Sequence, residues 1–177
     1  MGLWTALQQA TAESHQRIDA ISAHGLSTPE AYARYLQGMH RFMTVGVQAE
    51  PTRLDWASMC RFLEWDLASL GEHTLPAPAL PRMDTLAGRL GWAFVVDGSA
   101  LGARLLLRDI KALGYTNAWR TNFLTAHAAS SKQWPQFVAQ LAAFTDTDGF
   151  YHHACAHAIV AFQHAEAAFA AAQSESV

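Results

Sequence analysis

An all-α fold follows from three features of the 177-residue chain. Alanine is abundant, sustained apolar–polar alternation of period two is almost absent, and helix-start signatures recur along the sequence. Ser27-Thr28-Pro29-Glu30 offers a capping box with proline in the first turn. Thr145-Asp146-Thr147-Asp148 supplies cap choices before a long final helix, and Trp134-Pro135 falls near another start. The predicted helical segments cover about 3–22, 28–50, 52–70, 81–113, 116–128, 132–144 and 147–173. Between them, Gly71 to Pro81 with Pro76 and Pro78 cannot be helix interior and is predicted to run over the surface. No repeat, low-complexity linker or charge block divides the sequence, so residues 1–177 are expected to form one helical domain.

Composition removes several function classes. A hydrophobic content of 51%, 15% charged residues and a net charge of −3 describe an ordinary globular chain without the basic excess that phosphate backbones attract, so no nucleic-acid partner is expected. The two cysteines, Cys60 and Cys155, form no Cys-x-x-Cys pair, which excludes a thiolate zinc site and fits a reducing, cytoplasmic location. Arg89, Asp97 and Arg104 punctuate the most apolar stretch, and no membrane-spanning segment is expected. Nucleophile-elbow, phosphate-loop and dinucleotide fingerprints are absent.

In the first helix Leu3, Leu7, Ala10, Ser14, Ile18 and Ile21 form a mostly apolar stripe. His15 lies at its edge, roughly 80° around from Leu7, where a side chain reaches a cleft while its neighbours stay wet. Asp19, at i+4, is placed to hold the second imidazole nitrogen, as partners of metal-bound histidines do. The same spacing also describes a boundary histidine paired with a helix neighbour.

A second signal is the recurrence of glycine in a segment otherwise built from helix formers, Gly88-Arg-Leu-Gly91-Trp-Ala-Phe-Val-Val-Asp97-Gly98-Ser99-Ala-Leu-Gly102-Ala-Arg-Leu105. Each interior glycine costs about 1 kcal/mol relative to alanine. Gly91, Gly98 and Gly102 fall within roughly 40° of one another on a helical wheel, leaving a bare strip flanked by Val95 and Leu105. Such a strip serves either close helix–helix packing with a kink or the binding of something flat.

Taken together, Leu7-Gln-Gln-Ala-Thr11-Ala-Glu-Ser-His15-Gln-Arg-Ile-Asp19 and Asp97-Gly98-Ser99-Ala-Leu-Gly102-Ala-Arg-Leu resemble the proximal and distal helices of the heme oxygenase family, especially its short bacterial members. Tyr32-Ala-Arg-Tyr35-Leu36, Leu63-Glu64-Trp-Asp66-Leu67 and Trp134-Pro-Gln-Phe137 extend the similarity over most of the chain. The resemblance implies a helical bundle with a kinked distal helix, His15 as the heme-iron ligand, and Gly98 and Gly102 over the oxygen-binding face. It implies oxidative cleavage of heme to biliverdin with release of CO and ferrous iron, heme being both cofactor and substrate. Many mammalian-type members carry Asp after the first distal glycine to anchor a water, whereas this chain has Ser99, with Asp97 expected to point elsewhere. Ser99 or backbone groups would then hold the water that delivers protons.

Heme propionates call for cations; no Lys or Arg follows Lys132, so the last helix supplies none, and Arg17, Arg120 and Lys132 are candidates. Nothing resembles a flavin, iron–sulfur or nicotinamide site, so the implied partners are O2, an external reductase or ferredoxin, and a phytochrome if the bilin is passed on. The alternative is a heme carrier or sensor on the same fold without turnover, and a more distant one an interaction domain whose His15 and glycines merely pack. His153 and His157, four apart with His152 and His164 nearby, are expected to be a solvated or packed cluster. No Glu-x-x-His of the ferritin-like di-iron bundles occurs. The six tryptophans are expected to be core anchors.

Overall fold

A computed structural model describes residues 1–22, 25–51, 53–80, 83–115 and 118–174. It forms a helical domain of α1 (Leu3–Ser22), α2 (Pro29–Ala49), α3 (Leu54–Ser69), α4 (Leu86–Gly98), α5 (Ala100–Ala112), α6 (Asn122–Ser130), α7 (Trp134–Leu141) and α8 (Phe150–Ser174). Short 3₁₀ turns, Ala118–Arg120 and Ser131–Gln133, lead into α6 and α7. The described residues contain no strand. The predicted helix starts at 52, 81 and 116, and Pro81 itself, lie outside the described residues.

The start signals operate with small shifts. Thr28, not Ser27, caps α2, its Oγ1 accepting from Ala31 N at 3.1 Å with Pro29 in the first turn. Asp146 Oδ1 accepts from Tyr151 N at 2.9 Å, and Asp148 and Gly149 take positive φ to turn the chain into α8. Thr85 caps α4, leaving 83–85 in the connection instead of in the helix as expected.

The 81–113 segment divides at Ser99. Its hydroxyl bonds back to Val96 O at 2.7 Å and Gly102 N reaches Ser99 O at 3.2 Å, tightening the turn, as serine–backbone competition within a helix does. Counted across this break, Leu86–Ala112 is long and apolar enough by length and composition to cross a membrane, contrary to the sequence expectation. Its apolar residues serve the bundle instead: Trp92, Phe94, Val95, Val96, Ala103 and Ile110 belong to the core.

α8 is the spine. It packs against α1, α2 and α4, while α5 packs on α6 and α3 on α2. Its buried face carries Ala154, Ala158, Ala161, Ala165, Ala168 and Ala172 with Phe162 and Phe169, so neighbouring backbones come close. A Cβ at Gly91 would meet the carbonyl of Ala154 and stand 2.8 Å from Ala158 N, backbone atoms that cannot yield. Gly91 therefore belongs to helix packing and not to a bare ligand strip, whereas Gly102 has nothing within 4 Å of a Cβ. Gly91→Ala is expected to lower unfolding free energy by about 1–3 kcal/mol through overpacking, while Gly102→Ala should leave it unchanged or raise it by up to about 1 kcal/mol through helix propensity; urea denaturation of both variants checks the opposite signs.

Candidate functional site

α1 and α5 both border a groove floored by α8. At one end a cleft of about 410 Å³ is lined by Ile21 of α1, Leu26, Tyr35 of α2, Leu106 of α5, and Phe169 and Gln173 of α8. Leu26 N donates to Asp109 Oδ2 at 3.4 Å, tying the chain beyond α1 to α5. At the other end Trp4 of α1 packs edge-on against Phe94 of α4 and Trp134 of α7, with centroids 5.7 and 5.6 Å away. α1 thus meets α5 across the first cleft and meets α4 and α7 at its other end.

Along α1 the ridge His15, Ile18, Ile21 advances three residues at a time, and along α4–α5 the ridge Gly98, Gly102, Leu106 advances four. Ile21 and Leu106 line the cleft; His15 and Gly102 are not among its lining residues but stand farther along the same two ridges. The His15 side chain is 66% exposed, its Nδ1 lies 2.9 Å from Asp19 Oδ2, and its ring edge meets Phe162 of α8 at 6.1 Å. With Nδ1–H given to the carboxylate, Nε2 is left as the donor atom. On α5, Leu101 and Leu105 are 48% and 58% exposed beside Gly102. The other two glycines of the predicted strip differ: the Trp134 indole lies over Gly98, 3.2 Å from where its Cβ would stand, while Gly102 is open.

The predicted cations are engaged elsewhere or on connections. Arg17 Nε bonds both carboxylate oxygens of Glu166 at 3.0 and 3.1 Å, and its Nη2 reaches Ser14 Oγ. The Arg120 guanidinium lies 4.9 Å over the Tyr115 ring, and its carbonyl accepts from the Tyr32 hydroxyl. Lys132 is exposed in the turn before α7.

A second polar centre adjoins the break between α4 and α5. Asp97 turns to α3, taking Arg53 Nη2 at 2.9 and 2.8 Å and Trp56 Nε1 at 3.0 Å. Burial pushes its carboxyl above the usual carboxylate range while the Arg53 guanidinium pulls it back. Ser99 Oγ lies 2.8 Å from Nε2 of His127, a buried residue of α6 whose pKa burial pushes down to about 4. Both Asp97 and His127 line a cleft of about 440 Å³ with Arg53, Trp56, Trp134 and Gln136. Sequence reading did not find His127: 28 residues separate it from Ser99 and no spacing marks it. Of the histidine cluster, His152 and His153 are exposed, His157 fits against Gly88, and His164 rests on Trp92 with centroids 5.6 Å apart. Among the described residues no three His, Cys, Asp or Glu side chains are grouped to hold a metal.

No protein-family model matches the sequence, and no curated protein matches it. A solved structure does: the NO- and CO-bound heme oxygenase from Neisseria meningitidis superposes with a TM-score of 0.78 at 22% sequence identity, covering 97% of this chain and 92% of that one. The chain has the heme oxygenase fold. That fold accounts for the all-helical single domain.

The depressed His127 pKa carries a stability consequence. Between about pH 6.5 and 4 the unfolded chain binds a proton at this residue that the folded chain refuses, so folding stability is complete above pH 6.5 and declines as pH falls. Urea titrations are expected to show a loss of up to about 3 kcal/mol across that window, with the His127 share of the slope removed in His127→Phe.

Proposed function

We propose that this chain is a heme oxygenase, converting heme to biliverdin, CO and ferrous iron with O2 and electrons from an external reductase or ferredoxin. What supports the reading is a fold shared with a heme oxygenase, together with an imidazole on α1 whose Nδ1 is held by Asp19 and a surface of α5 at Gly102 where a Cβ would meet nothing within 4 Å.

The residues fit the group. Neutral imidazole nitrogen is a common donor to heme iron, and a carboxylate on the opposite ring nitrogen fixes the tautomer and raises the donor's basicity. A planar macrocycle needs apolar walls, for which Ile21, Leu106 and Phe169 of the cleft, Phe162 beside His15, and the exposed Leu101 and Leu105 are suited. When bound, heme supplies the iron that holds O2 and the ring carbon that is oxidised.

The protein's own groups do the rest. His15 Nε2 would be the metal ligand; Gly102 would keep the distal face low, whereas Gly98, expected beside it, seats the Trp134 indole; Ser99, at the helix break, would hold an ordered water. Arg17, Arg120 and Lys132 are the cations proposed for the propionates. Arg17 would exchange Glu166 for a propionate, and Arg120 would leave the face of Tyr115. A cytoplasmic setting suits a chain that draws electrons from a separate donor. A bilin-accepting phytochrome is a proposed product partner, and neither nucleic acid nor membrane has a part in the reaction.

Hemin added to the purified protein, followed by reductant under oxygen, is expected to give a Soret band that decays as biliverdin absorption grows. A persistent heme spectrum would instead mark a carrier, and no specific spectrum an interaction domain. His15→Ala should abolish the native coordination and the turnover while far-ultraviolet circular dichroism stays unchanged, with exogenous imidazole restoring part of the activity. Asp19→Ala should cost roughly 10-fold, the lower end of what removing a ligand's hydrogen-bond partner costs. An unchanged heme spectrum in His15→Ala would remove His15 from the site.

A further inference from the structure

Ser99 Oγ has two neighbours, Val96 O at 2.7 Å and His127 Nε2 at 2.8 Å. A carbonyl oxygen only accepts, so the one hydroxyl proton is committed to Val96, and the contact with the imidazole is satisfied when Nε2 carries a proton and donates it to Ser99. We propose that His127 is a positioning residue for Ser99, a fixed N–H donor that locks the serine hydroxyl onto the Val96 carbonyl and leaves it only an acceptor lone pair for a water at the helix break. The hydroxyl then has the polarity a carboxylate would have at that place: water beside the distal helix must donate to Ser99, and its own oxygen is turned away from it. This role rests on the heme reading above, but the Ser99–His127 arrangement does not.

The surroundings of His127 suit a fixed donor better than an acid. Its ring stacks on Phe123, centroids 5.0 Å apart and planes 23° from parallel, and the first turn of α6 is anchored from α3. Asp66 accepts from Asn122 N at 3.0 Å, Asn122 Nδ2 at 2.7 Å and Phe123 N at 2.8 Å. A chain of fixed contacts therefore runs from α3 through the start of α6 to the imidazole and on to the distal break. Burial favours the neutral ring, so the N–H is presented without a charge that would draw anions into the cleft. His127 also lines the 440 Å³ cleft that holds the Arg53–Asp97 pair, which makes the ring a wall between that cleft and Ser99.

Two measurements test this. In the heme-free protein, long-range ¹H–¹⁵N correlation of the imidazoles is expected to show His127 as the neutral Nε2–H tautomer between pH 5.5 and 8, with its Nε2–H resonance moved or lost to exchange in Ser99→Ala. A His127 ring protonated at Nδ1 instead would reverse the donor at Ser99 and overturn the proposal, whether or not heme binds. In the hemin-loaded protein, the midpoint of the pH-dependent visible transition is the readout. Ser99→Ala and His127→Phe, the latter keeping an aromatic ring on Phe123, are expected to move it in the same direction by about half a pH unit or more. The double variant should move it no further, and His127→Gln, which restores an N–H donor, should return it towards the starting value. A midpoint that moves in Ser99→Ala but not in His127→Phe contradicts the positioning role, as do additive shifts in the double variant. Failure of hemin to bind at all would instead refute the functional reading, leaving the tautomer measurement to decide the pair.

Discussion

The spacing of the bundle depends on how closely other helices approach α8. Alanines at 154, 158, 161, 165, 168 and 172 give its buried face almost no side-chain height, and glycines on the partners remove height from the other side: Gly91 lies against the α8 backbone and Gly38 against the Phe169 ring. Dispersion attraction falls steeply with separation, so these contacts define one distance and do not tolerate a range of them. With α1, α2 and α4 each held against one rod, the gap between α1 and the continuation of α4 into α5 is set by the rod. The larger residues on that rod, Phe162 and Phe169, then become the floor of the groove.

Polar groups set direction where apolar packing sets distance. Asp66, fully buried, caps the start of α6 from α3 with three hydrogen bonds, and Asp97, held by Arg53 and Trp56, ties the end of α4 to the start of α3. Each carboxyl is driven up by burial and drawn down by its donors, a balance that holds only while every donor stays in place. The break at Ser99 is bracketed by these two anchors. Its hydroxyl, its neighbour His127 and the bare flank at Gly102 therefore occupy fixed places, which suits a site where the helix backbone itself faces a ligand.

The helical class and the His15–Asp19 contact were legible because each depends on residues within one or two turns, whereas 81–113 read as one kinked helix and proves to be two that meet at Ser99. Alanine content, cap chemistry and i+4 spacing are local quantities. What escaped was non-local. The wheel placed Gly91, Gly98 and Gly102 on one strip, but tertiary contacts give them three different neighbours: the backbone of α8, the Trp134 indole, and open space. A wheel reports angle and not what lies opposite. Arg17 reads as a free cation in the sequence, but the fold brings up Glu166, 149 residues away, and His127 carries no signal until α6 is laid beside the α4–α5 break. The apolar run from Leu86 to Ala112 was read as broken by its charges, yet two of these, Arg89 and Asp97, are paired in the fold with Glu50 and Arg53.

In the proposed complex a flat tetrapyrrole lies between α1 and α5, with His15 on one side and the Gly102 backbone on the other. The most direct measurement is amide chemical-shift mapping of the ¹⁵N-labelled protein on addition of diamagnetic gallium protoporphyrin. The account predicts that His15, Ile18, Gly102 and Leu106 move together, while Gln136 and Gln140, on the cleft beside Asp97, stay in place. Shifts concentrated at Arg53, Gln136 and Gln140 with His15 unmoved would place the ligand in the other cleft and contradict it.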